Sequence, residues 1–155
     1  MATKKIYLVR HGKAAMDGLD RERNLDEDGK VQAISLCKKI KEKFKEKKIK
    51  IFSSPFARAM QTIENLSQDM EIKIQQTASL EEIKMGKDSQ LNKHQIIEKM
   101  WEDDNFKTEN GVSQSKHVSI IKGELDKIFN DFYNNEYDLI LVSHGNSIGI
   151  ILKYF

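Results

Sequence analysis

The chain has 155 residues, enough for one domain with a real core and too few for two ordinary ones. Lysine and arginine total 26 against 24 aspartates and glutamates, and the net charge of +2 gives no general argument for nucleic acid or membrane as a partner. The one cysteine, Cys37, excludes an intrachain disulfide, and no apolar run reaches the roughly 18 residues of a membrane span or follows a signal-peptide pattern, so a soluble cytoplasmic protein is expected.

Residues 4–9 are rich in Ile, Tyr, Leu and Val, the composition of a strand covered on both faces, and they run into the polar loop opened by Arg10-His11-Gly12. Asp26 and Asp28 then stand where acidic side chains cap free N–H groups and favour the helix dipole. Val31, Ile34, Cys37, Ile40 and Phe44 follow at spacings of three and four, which predicts a helix over about 26–46 with Cys37 in its core-facing stripe. The lysine-dense stretch "KKIKEKFKEKKIK" at 38–50 becomes the solvated face of that helix, its charge diluted by glutamates.

The segment "IKIFSSP" supplies a short strand at 49–53 and a polar turn. Ala57, Met60, Ile63, Leu66 and Met70 predict a helix over 56–68, with Pro55 tolerated near its start, and "EIKIQ" at 71–75 reads as another short strand. Residues 80–111 are the least regular part: one short helix around "KHQIIEKMW" lies between polar stretches, which suggests a small insertion or lid at about 83–112 within a single domain spanning 1–155. Met100, Trp101 and Phe106 read there as packing residues.

Val118, Ile121, Leu125, Ile128, Phe129 and Phe132 define a long amphipathic helix over 113–132, "YDLILVSHG" a central strand, and "SIGIILKYF" a helix after Asn146. Strands alternating with helices of this length imply βαβ units: an α/β, three-layer sandwich whose mostly parallel central sheet has helices on both faces. Such sheets bind ligands beyond the carboxyl ends of their strands, and His11 and His144 both stand at carboxyl ends, each followed by glycine.

The chemistry those residues can share is phosphoryl chemistry. Arg10 and Arg58 offer paired donors matched to phosphate oxygens, and Gly12 and Gly145 let backbone N–H groups approach the same anion. Neighbouring cations keep an imidazole neutral and nucleophilic, so one histidine can attack phosphorus while the other donates to the phosphoryl oxygens. A carboxylic acid, Glu81 or Glu82, can protonate the leaving oxygen and later activate water. His11, His94, His117 and His144 show no close ligand spacing, so neither metal nor cofactor is expected.

Together, "LVRHG" at 8–12, "SSPFARAMQT" at 53–62, "LEE" at 80–82 and "SHG" at 143–145 resemble, in the same order, the motifs of the histidine phosphatase superfamily, also called the phosphoglycerate mutase-like family. The resemblance covers nearly the whole chain. It implies His11 as the phosphorylated nucleophile, Arg10, Arg58 and His144 as the rest of the phosphate pocket, and Glu82, two residues after Leu80, as the proton donor. The stretch "DRERNLDEDGKVQA" at 20–33 is similar to the small branch that removes phosphate from phosphohistidine on proteins. Lys13-Ala14 and Asp17 depart from the Glu-Ser and Asn of many members, and Gly111-Val112-Ser113 stands where "GES" is usual.

The resemblance thus implies a metal-independent phosphohydrolase working through a phosphohistidine. Its substrate is expected to be a phosphorylated small molecule or a phosphohistidine protein, with no nucleic acid and no membrane as partner. The alternatives are phosphoglycerate mutase-type phosphoryl transfer, or a non-catalytic phosphate- or phosphoprotein-binding module. A short segment after Glu82 fits a phosphatase better, since a mutase must shield its bisphosphorylated intermediate from water. The chain stops at Phe155, where relatives have a further strand, which implies either a sheet one edge strand short at the C-terminus or a truncated sequence.

Overall fold

The computed structural model describes residues 3–44 and 47–155. Among them, four parallel strands, β1 (Ile6–Arg10), β2 (Ile49–Ser53), β3 (Ile74–Gln76) and β4 (Asp138–Ser143), form one sheet in the order β1-β4-β2-β3. The helices are α1 (Glu27–Lys43), α2 (Ala57–Asp69), α3 (Lys93–Glu102), α4 (Gln114–Asn134) and α5 (Gly145–Tyr154). No helix among the described residues is long and apolar enough to cross a membrane.

The period-two geometry of β4 explains its unbroken apolar run. Ile140 and Val142 face Cys37 and Ile40 of α1 and Ala59, Ile63 and Leu66 of α2, while Leu139 and Leu141 face Ile121, Leu125 and Ile128 of α4 and Ile151 of α5. A strand covered on both faces offers no solvent-facing position between its polar ends, Asp138 and Ser143. This is the expected three-layer α/β sandwich. Residues 83–112 carry a small core of their own, in which Ile83, Ile96 and Met100 meet Ile150 of α5.

The phase of α1 differs from the expected one. Val31 and Ile34 are 67% and 49% exposed, and the helix turns Gly29, Ala33, Cys37 and Ile40 inward instead. Helix geometry accounts for this: at about 100° per residue Gly29, Ala33, Cys37 and Ile40 share one face, whereas Val31 stands opposite Ile40. That face makes a close approach at its first turn: a Cβ on Gly29 would lie 2.0 Å from the Lys13 carbonyl oxygen, and one on Gly12 would lie 2.9 Å from the Gly29 carbonyl oxygen. Only two glycines allow the His11 loop to rest on α1. Asp26 caps it, accepting from the Gly29 N–H at 2.8 Å. Residues 45 and 46, the end of the expected helix, lie outside the described residues.

Gly29→Ala is expected to destabilise the protein by about 3 kcal/mol, the upper part of the usual overpacking range, because the atom it meets is backbone and cannot swing aside. Urea denaturation of wild type and variant measures this. An unchanged midpoint would remove the steric account of the contact between α1 and the His11 loop.

Elsewhere the boundaries moved for local reasons. Glu71 has φ of 53°, the left-handed conformation that ends α2, so β3 begins only at Ile74 rather than at Glu71. Helix α5 starts at Gly145, immediately after His144 and ahead of the expected position.

Candidate active site

The sheet register assembles the site. Arg10 of β1 pairs with Ser143 of β4, and Ser53 of β2 pairs with Val142, so β1, β4 and β2 end side by side. The ladder runs one residue further on each side: His11 N–H donates to Ser143 O at 3.1 Å and Ser54 N–H to Val142 O at 2.9 Å. His11, Ser54 and His144 are therefore the first residues beyond three adjacent strands.

The imidazoles meet edge to face, ring centroids 4.9 Å apart. His11 Nδ1 lies 2.7 Å from the Gly12 carbonyl oxygen, which can only accept, and Nε2 lies 3.2 Å from the Arg58 Nε–H, which can only donate. Both contacts select one tautomer, with the proton on Nδ1 and the lone pair on Nε2. Burial holds the His11 pKa below its ordinary value, and the charges of Arg58, Arg10 and Arg23 push the same way against the Gly12 carbonyl.

His144 is wholly buried, and its pKa is pushed down to about 3, first by burial and then by Arg58 and His11. Burial and these charges favour its neutral form. Its Nε2 lies 2.9 Å from Ser54 Oγ, and its Nδ1 has no partner among the described residues. The Phe56 ring stands against His144, centroids 4.9 Å apart, and carries the Arg58 guanidinium 4.8 Å from its centre.

Arg58 is 2% exposed, in the first turn of α2. The positive end of a helix dipole disfavours a cation, so its burial there calls for anionic company. Besides His11 it bonds Asp20: Nη1 donates to the backbone carbonyl, and Nη2 lies 3.4 Å from the carboxylate. Arg10 is exposed and packs against Gly145, whose hypothetical Cβ would lie 3.5 Å from the guanidinium carbon. Gly145 is the first residue of α5, so its N–H is among those a helix leaves unpaired.

Glu82 sits at the same helix end. Its Oε1 accepts from Ser147 Oγ at 3.0 Å, Ser147 N–H at 3.2 Å and Ile83 N–H at 3.1 Å. Burial nevertheless raises its pKa, outweighing those hydrogen bonds and the Arg58 charge. Glu81 points elsewhere, paired with Arg21 at 2.7 and 3.1 Å.

One expectation is corrected. The Gly12 N–H does not face an anion; it donates to Thr62 Oγ1 at 2.9 Å, and Gly12 is glycine because α1 lies against it. Lys13 turns to Asp28 and Asp26, at 2.6 and 3.3 Å, and ties the loop to α1. Ser54, Thr62 and Ser147, which hold His144, Gly12 and Glu82, were not singled out as site residues from the sequence. Only "SSP" and the final threonine of "ARAMQT", adjacent to motif residues, hinted at the first two. Among the described residues no group of three or more His, Cys, Asp or Glu side chains stands together as a metal site.

A comparison with curated protein sequences finds no match. Among solved structures, the mycobacterial glucosyl-3-phosphoglycerate phosphatase Rv2419c with inorganic phosphate superposes with a TM-score of 0.78 at 18% identity, covering 97% of this chain and 77% of that one. A phosphoserine phosphatase mutant from Entamoeba histolytica, in complex with phosphoserine, gives 0.72 at 23% identity, covering 97% and 78%. The protein histidine phosphatase SixA complexed with tungstate gives 0.60 at 18%, covering 95% and 73%. At these identities the likeness speaks for the fold. The family is carried by a sequence model, "Histidine phosphatase superfamily (branch 1)", which matches residues 6–155, the span that holds every motif above. The chain therefore belongs to branch 1 of the histidine phosphatase superfamily.

Proposed function

We propose that the protein is a phosphomonoesterase that works through a phosphohistidine on His11 and needs no metal ion. The observation that carries this is the His11 tautomer: the Gly12 carbonyl holds the Nδ1 proton, leaving the Nε2 lone pair directed at Arg58. A neutral imidazole with its lone pair toward a guanidinium is poised to attack a phosphoryl group that the guanidinium binds.

In the first step Nε2 bonds to phosphorus as the bond to the ester oxygen breaks, and that oxygen takes the Glu82 proton. Arg58 and Arg10 neutralise the phosphoryl oxygens, and neutral His144 donates to them. In the second step the Glu82 carboxylate takes a proton from water, whose oxygen attacks phosphorus. The N–P bond breaks, its electron pair returns to Nε2, and inorganic phosphate leaves. Charge stabilisation comes throughout from guanidinium and imidazole groups already fixed by packing.

The raised Glu82 pKa favours esters over phosphohistidine as substrate. A poor alkoxide leaving group needs a proton from an acid at the site, whereas a protonated imidazole leaves without one. The structural neighbours that act on phosphorylated small molecules, glucosyl-3-phosphoglycerate and phosphoserine, support the same reading by analogy.

The test is a panel of sugar phosphates, nucleotides, aryl phosphates, phosphoserine and a phosphohistidine protein, assayed in EDTA, with acid and alkaline quenches during turnover. Hydrolysis of the esters is expected, with a protein-bound phosphate that survives alkali and is lost in acid. Turnover confined to the phosphohistidine protein would replace the ester reading. Phosphate binding without turnover would point to a binding module, and primer-dependent isomer exchange to a mutase.

A further inference from the structure

Asp20 takes no part in the steps above, yet it sits on the groups that would bind the phosphoryl oxygens. It belongs to a 3₁₀ turn, Asp20–Glu22, in the loop between β1 and α1, and its side chain is 61% exposed. Even so, its Oδ1 lies 2.7 Å from Arg23 Nη2 and 3.4 Å from Arg58 Nη2, and its backbone carbonyl accepts from Arg58 Nη1. Arg58 Nε serves His11. Each nitrogen of the buried guanidinium is thus committed to protein, and both terminal ones are committed to Asp20. Those terminal nitrogens form the fork that grips an oxyanion.

Arg23 completes the seat. Its Nη1 makes only a long contact, 3.4 Å, to the Ala15 carbonyl, and its buried Nε has no partner among the described residues. Its charge also reaches both His11 and Arg58. A guanidinium with a buried donor left over, beside the nucleophile, has capacity for an acceptor that Asp20 does not satisfy.

We infer that the Asp20 carboxylate is a resident anion in the seat between Arg23 and Arg58 that a phosphoryl oxygen takes, and that it competes with substrate and inorganic phosphate for both arginines. This rests on the reading of the site as a phosphate pocket. A phosphoryl group carrying nearly two charges displaces one carboxylate, and the exposed carboxylate loses little on release because water solvates it. After hydrolysis its return helps to expel the product. Asp20 thereby keeps product inhibition weak, and Arg23 is a third phosphate-gripping arginine beside Arg10 and Arg58.

Calorimetric titration with inorganic phosphate tests this without relying on turnover. Asp20→Asn is expected to tighten phosphate binding about tenfold, the scale of one charge-assisted hydrogen bond. Asp20→Ser, which cannot replace the carboxylate with an amide, should do the same. Glu22→Gln removes an equal charge from the same turn and is expected to change binding less than about twofold, since an exposed, solvated charge is largely screened. Arg23→Ala, placed in the Asp20→Asn background, should weaken binding about tenfold. Equal tightening in the Glu22 variant would reduce the effect to bulk charge. Weaker or unchanged binding in both Asp20 variants would make Asp20 a structural brace. No loss on removing Arg23 from the Asp20→Asn protein would take Arg23 out of the seat. Phosphate binding that responds as expected in a protein without turnover would sink the hydrolase reading alone, and turnover with an indifferent Asp20 would sink only this inference.

Discussion

His11→Ala is expected to lower the turnover of every phosphomonoester by at least about 10⁴-fold, the scale on which removal of a covalent nucleophile is felt. The loss should be chemical and not structural. The ring is only partly buried, and its side-chain hydrogen bonds go to the adjacent Gly12 carbonyl and to Arg58. Its removal leaves Arg10, Arg58 and His144 in place, so the variant should fold with an unchanged denaturation midpoint and still bind inorganic phosphate. The alkali-stable, acid-labile phosphoprotein should disappear with the activity. Turnover within tenfold of wild type would remove His11 from the nucleophile's role.

Glu82→Gln is expected to separate substrates by leaving group. For alkyl phosphates the rate should fall about 10²–10³-fold, the usual contribution of general acid–base catalysis, because glutamine has no proton to give. For aryl phosphates, whose phenolate leaves unaided, the fall should stay within about tenfold. The pH profile gives a second signature. His11 must be neutral, and its pKa is lowered from 6.5 by burial, so activity rises with pH along an acid limb whose midpoint lies below 6.5. Glu82 must be protonated, and burial raises its pKa from 4.5, so activity falls along an alkaline limb whose midpoint lies above 4.5. The variant should keep the acid limb and lose the alkaline one. Taking the ratio of wild-type to variant rates at each pH cancels the ionisation of the substrate itself. Equal losses on alkyl and aryl esters would mean that Glu82 acts by holding Ser147 and the start of α5, not by moving a proton.

The two predictions depend on different parts of the protein. His11 is placed by its own strand and by the glycine contact with α1, whereas Glu82 is placed from the far side by α5, which begins where β4 ends. Damage at Gly29 should therefore reach His11 before it reaches Glu82.

The sheet, the helices and the convergence of His11 and His144 were legible in the chain because each has a local signature. Apolar runs mark strands covered on both faces, three-and-four spacings mark the helices, and a parallel sheet places its binding groups at strand carboxyl ends whatever the intervening sequence. Arg58 announced itself by standing at the positive end of a helix, where only an anion justifies it. Tertiary structure alone decided the rest. The close seating of Gly29 against the His11 loop is a backbone-to-backbone contact, which no periodicity records. The choice of Thr62 for the Gly12 N–H, of Ser147 for Glu82 and of Asp20 for Arg58 joins residues 50, 65 and 38 positions apart. Sequence carries the period and the chemical type of each side chain, but a hydrogen bond is made or missed within a few tenths of an ångström, and only the packed register of strands and helices fixes distances that finely.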